Sequence, residues 1–155
     1  MIITSHLEKI ERLNDLRARL DPNDDFELWF WSTMVAGTNA VNAALHHAGI
    51  TPAESAFPSQ PGVYYVPGGS PSDAAGYKPV LKAMGDVLHV GRPPIPVPVP
   101  ANLQAMMKAM EQIEYFRDPC TRGDMTINAD VIGGCESAYQ QCLKLLEDVL
   151  SARPA

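Results

Sequence analysis

The sequence predicts an all-α protein: a four-helix, up-and-down-type bundle with a long proline-rich crossover between its second and third helices. Three observations carry this expectation. Four stretches repeat apolar residues at helical spacing, the second of them has no formal charge from Leu28 to Leu45, and 11 of the 14 prolines fall within residues 51–100. The chain has 155 residues, a length at which folding buries about 70% of the unfolded surface, so a single domain with one core is expected.

The first helix is placed at residues 5–20. Ser5 and Glu8 match the S-x-x-E capping box, and Leu7, Ile10, Leu13, Leu16 and Leu20 give it one apolar stripe. The second helix is placed at 22–48, with Asp21 as N-cap, Pro22 in the first helical position and Gly49 where the helix stops. Beyond Glu27 it is nearly uncharged on every side, so it is expected to be enclosed by protein at the centre of the fold. Ala36, Ala40 and Ala44 form a small-residue ridge along it that lets another helix come close.

Residues 51–100 form the crossover. Phe57, Tyr64, Tyr65 and Tyr77 are anchors that a solvated linker does not need, so an ordered wrap over the bundle is expected. Within it, Gly62–Val66 reads as a short strand closed by Pro67-Gly68-Gly69, and Lys78–Val90 as a short helix. The prolines at 93, 94, 96, 98 and 100 require an extended, polyproline-like run. The third helix follows at 102–117, with Leu103, Met106, Met110 and Ile113 on one face. The last is placed at 128–150, capped by Asn128, with a seam of Val131, Cys135, Ala138, Cys142, Leu145 and Val149. Gly133-Gly134 within it suggests close packing at that point.

Charge and cysteine usage exclude several function classes. A net charge of −6 argues against an extended basic footprint, so neither DNA nor a membrane surface is expected as a partner, and RNA is disfavoured. Three cysteines without a CxxC pair argue against a disulfide framework or a structural zinc site. The opening MIITSHLEKI has no leader pattern, and Leu28–Leu45 carries Ser32, Thr33, Thr38, Asn39 and Asn42, which suits a buried helix better than a bilayer span. A cytoplasmic protein is expected.

Candidate binding residues come from the second helix. Ser32, Asn39, Asn42 and His46 recur at steps of 7, 3 and 4, which puts them on one face of an otherwise apolar helix. A buried amide without a partner costs about 1–3 kcal/mol, so these groups must meet polar atoms. Either they line a small-molecule pocket under the crossover together with Tyr64 and Tyr65, or they bind backbone carbonyls of the proline-rich segment. His46 and His47 are adjacent and diverge around the helix, and no HExxH or Cys/His spacing is present. Neither a metal nor another cofactor is therefore expected. Cys120 lies beside Arg117 and Arg122, a setting that lowers a thiol pKa.

The run Ile113-Glu114-Tyr115-Phe116-Arg117-Asp118, then Arg122-Gly123-Asp124 and the later Ala138-Tyr139, resembles the C-terminal part of HEPN-type helical domains over about a third of the chain. Active members of that family cleave RNA with an arginine, a polar neighbour and a histidine. Arg117 and Asp118 match the first two and no histidine follows, so the resemblance implies a non-catalytic, dimeric relative. The cluster Phe26, Trp29, Phe30 and Trp31 independently suggests a homodimer, because it offers more apolar surface than one helix buries internally. The preferred function is a non-catalytic binding module, holding a small ligand or protein partner between the second helix and the crossover. The alternatives are a small enzyme with a pocket around Asn39, Asn42 and His46, and an RNA-directed HEPN-like protein.

Overall fold

The computed structural model describes residues 1–60, 62–81, 85–87 and 95–152. Four long helices, α1 (Ile3–Arg17), α2 (Phe26–His47), α3 (Ala101–Tyr115) and α5 (Ala129–Ser151), accompany a short α4 (Arg117–Thr121). Between α2 and α3 lies a three-stranded antiparallel sheet of β1 (Phe57–Gln60), β2 (Val63–Pro67) and β3 (Tyr77–Leu81), in that order. The protein is thus mixed α/β and not all-α. Among the described residues, no helix is long and apolar enough to cross a membrane.

The crossover folds as a sheet because its aromatics alternate. Tyr64 and Tyr65 point to opposite faces of β2. Tyr64 is buried, while Tyr65 stacks on Phe57 at 5.6 Å and Tyr77 meets Phe57 edge-on at 5.1 Å. The expected strand at 62–66 is β2. The helix expected over 78–90 is not formed where the chain is described: Tyr77–Leu81 pairs with β2 instead, with Lys78 opposite Val66 and Val80 opposite Tyr64. Residues 82–84 and 88–90 of that expectation, and 93–94 of the polyproline run, lie outside the described residues. Prolines 58 and 79 sit on the two outer strands, where a missing N–H leaves no ladder bond unmade.

Helix α2 is the centre of the bundle and packs against α1, α3 and α5. The enclosure is not complete, since Leu28, Trp31 and Val35 form an exposed strip. Phe26, Trp29 and Phe30 are buried by the chain itself, which leaves Trp31 as the one exposed ring of the cluster that suggested a dimer. Gly37 and the alanine ridge permit close packing: a Cβ at Gly37 would lie 2.1 Å from Met110 Sδ. Gly133 and Gly134 are exposed, and a Cβ on either would touch nothing among the described residues, so no close contact there explains them.

Boundaries shift for local reasons. Helix α1 begins at Ile3, which places Ser5 and Glu8 inside it and leaves no capping box. Helix α2 begins at Phe26 because the preceding aspartates close their own turn: Asp21 Oδ1 accepts from Asn23 N at 2.8 Å, and Asp25 Oδ2 accepts from Asp21 N at 3.1 Å. Asn128 caps α5 by accepting from the backbone N–H groups of Asp130 and Val131.

Candidate functional site

The end of α2 builds the first part of the site. Gly49 adopts φ +69°, and the backbone N–H groups of Ile50 and Thr51 both turn back to Leu45 O. This brings Thr51 over the His46 ring, whose Nδ1 lies 3.2 Å from Thr51 O and 2.7 Å from Thr51 Oγ1. The Thr51 hydroxyl can give a hydrogen bond to Nδ1 or take one from it, so this end of the ring is satisfied in either tautomer. The opposite ring nitrogen, Nε2, lies 2.8 Å from Asp86 Oδ1.

His6 repeats this arrangement from α1. Asn39 Nδ2 donates to Val35 O at 2.7 Å, which orients its Oδ1 as the acceptor for His6 Nδ1 at 2.8 Å. His6 Nε2 is buried, makes no hydrogen bond among the described residues, and lies 3.4 Å from the same Asp86 Oδ1. The amino group of Met1 also reaches that oxygen. The two imidazole rings are 5.3 Å apart and tilted by 39°.

Asp86 is pinned through its backbone neighbours. The Tyr64 hydroxyl donates to Asp86 O at 3.0 Å, and Asn42 clamps Val87 from both sides, donating to its carbonyl at 2.9 Å and accepting from its N–H at 2.7 Å. Gly85 is required here: a Cβ would sit 2.4 Å from Tyr64 Cε1. Burial works to raise the Asp86 carboxyl, but His46, His6 and the Met1 amino group around it outweigh burial and hold it well below the usual carboxylate range.

A cavity of about 330 Å³ opens beside this cluster. Trp31, Met34, Val35 and Phe57 supply apolar wall, while His6, Asn39, Asn42 and Asp86 converge at its polar end. Lys9 also lines it; among the described residues its ammonium has no carboxylate partner and reaches Met1 Sδ at 3.4 Å.

Of the residues that the sequence singled out, Asn39, Asn42, His46 and Tyr64 come together here. Ser32 donates to Leu28 O within its own helix at 2.7 Å, and Tyr65 lies on the other face of β2; neither lines the cavity. Sequence reasoning missed His6, Thr51 and Asp86. One signal for His6 was available, because it shares the buried face of α1 with Ile10 and Arg17. Asp86 had no local signal.

A second buried polar cluster surrounds Arg17. Its Nε donates to Thr33 Oγ1 at 2.7 Å and its Nη2 to Glu136 Oε2 at 2.5 Å, while the guanidinium lies 4.2 Å from the Tyr139 ring centre. The Tyr139 hydroxyl donates to Asn14 Oδ1 at 2.7 Å. Cys120, Cys135 and Cys142 are free and buried. Burial raises the Cys120 thiol, against the lowering expected from the nearby arginines, and pushes Cys135 and Cys142 up to about 12. Arg117, Asp118 and Arg122 form an ion-pair group on α4 and the residue after it, and none of them lines the cavity.

No family model matches the chain, and no curated protein and no solved structure matches it significantly.

Proposed function

We propose that this chain is a non-catalytic binding module that holds a small molecule between α2 and the crossover sheet, and that the molecule has an apolar body and an acidic end. The observation that carries this reading is the 330 Å³ cavity, whose apolar wall leads to His6, Asn39 and Asp86, with Lys9 alongside. That size falls within the usual range for ligand pockets, and so does a mostly apolar lining with a few convergent polar groups. The Lys9 ammonium, which has no carboxylate partner among the described residues, favours an anionic group on the ligand. A reducing, cytoplasmic setting suits three unpaired thiols. The second reading, a small enzyme using the same cavity, draws on His6 Nε2, a buried ring nitrogen beside a carboxylate with no hydrogen bond among the described residues.

The test uses 8-anilinonaphthalene-1-sulfonate, an aromatic anion, titrated into chelator-treated protein while its fluorescence is followed. Saturable binding at a single site is expected, together with its loss in Thr38→Trp, which fills the cavity, at unchanged circular dichroism. Absent or non-saturating binding, or equal binding by the filled variant, overturns the reading.

A further inference from the structure

His6, His46 and Asp86 come from three separate segments, yet one ligand atom from each lies within 4.8 Å of the other two. All three residues are buried, and His6 Nε2 has no hydrogen bond among the described residues. The hydrogen bonds behind them make the cluster more specific. Behind them, His6 Nδ1 is held by Asn39 Oδ1 and His46 Nδ1 by Thr51 Oγ1 and O, so each ring presents Nε2 to the same carboxylate. Metal-bound histidines are oriented in this way, with the far N–H donated to a carbonyl or carboxylate.

We propose that His6 Nε2, His46 Nε2 and an Asp86 carboxylate oxygen bind a divalent first-row transition-metal ion, with its remaining coordination position open to the cavity. The spacing suits such an ion. Ligands at about 2.0–2.1 Å from a tetrahedral metal are about 3.3 Å from one another. The distances from Asp86 Oδ1 to the two nitrogens, 2.8 and 3.4 Å, bracket that value. Two imidazoles and one carboxylate form the donor set of open zinc and non-haem iron(II) sites. His6 and Asp86 line the cavity while the His46 side chain is fully buried behind them, so a ligand would approach the metal from the cavity side. The Met1 amino group, which touches Asp86 Oδ1, is displaced when the metal enters. Asn39 and Thr51 are positioning residues that fix the ring orientations.

This inference rests on the cavity reading and adds the group that would hold the ligand's acidic end. Its test is isothermal titration of chelator-treated full-length protein with ZnCl2 and with CoCl2, in parallel with ¹⁵N-histidine NMR. One ion per chain is expected, with the ring resonances of two of the four histidines shifting together. His6→Gln is expected to weaken binding at least 100-fold, and Asn39→Leu, which loses a positioning bond, by roughly 10- to 100-fold. Bound Co²⁺ should show strong visible absorption of low coordination number without a thiolate charge-transfer band. Should His6→Gln fail to fold, the wild-type NMR shifts and the Co²⁺ spectrum decide alone. No binding by the wild type, undiminished binding by His6→Gln, or a thiolate band overturns the proposal. Binding of anilinonaphthalene sulfonate by metal-free protein is scored separately, so a failed metal site and a failed cavity are told apart.

Discussion

Two polar clusters are buried along the α1–α2 interface, one around Arg17 and one around His6, about three helical turns apart on the same face of α1. In the Arg17 cluster donors and acceptors balance. The guanidinium gives hydrogen bonds to Thr33 and Glu136 and lies between the rings of Trp29 and Tyr139, and Tyr139 in turn bonds Asn14. Around His6 one buried atom is left over, His6 Nε2, which makes no hydrogen bond among the described residues. None of the first cluster's members lines the cavity described above, whereas the second opens onto it. Burial of polar groups alone therefore does not single out a site; a buried polar atom left without a partner beside reachable space is the difference between the two.

The comparison can be broken by three measurements. The largest effect is expected from Arg17→Ala, which removes a charge-assisted bond to Thr33 and a cation packed between two rings. About 4 kcal/mol of unfolding free energy should be lost in urea titrations. The increment that added Zn²⁺ gives to the melting temperature should remain, since this cluster does not touch the metal ligands. Asn42→Leu comes next. It leaves the N–H and carbonyl of Val87 buried and unpaired, at a cost of about 3 kcal/mol, and it frees the segment that holds Asp86. Here the Zn²⁺ increment should vanish as well, and its survival would show that Asp86 is not a ligand.

The smallest effect is the share of the alkaline pH dependence that Tyr139 of the Arg17 cluster contributes. Burial raises the Tyr139 phenol to about 12, against the opposing influence of Arg17 and Asn14, from an ordinary value of 10.0. The unfolded phenol therefore ionises first. Stability is fully present below pH 10 and falls as pH rises toward 12, because the unfolded state is progressively favoured. Melting temperatures measured across that window should decline less steeply for Tyr139→Phe than for wild type.

Much of the helical frame was legible in the sequence. The uncharged run of α2, the stop at Gly49 and the cap at Asn128 are local signals, and each corresponds to a local cause in the structure. The sheet was only partly legible. Gly62–Val66 read as a strand, but its two partners carry Pro58 and Pro79 and are four and five residues long, so neither announces itself alone. Within the site, the stripe Asn39–Asn42–His46 was readable because polar groups on an apolar helix are conspicuous. Asp86 was not, since its meaning depends on contact with His46, forty residues earlier, and with His6, farther still. The reading of Gly133-Gly134 as a close contact failed for a related reason: a glycine pair records only that side chains are missing, not what approaches.

The two prolines on the outer strands limit how this molecule can meet other chains. With Pro58 on one flank of the sheet and Pro79 on the other, neither flank offers an uninterrupted row of amide donors to a visiting extended peptide. Among the described residues the sheet has three strands, and a macromolecule meeting either flank is read through side chains more than through main-chain pairing.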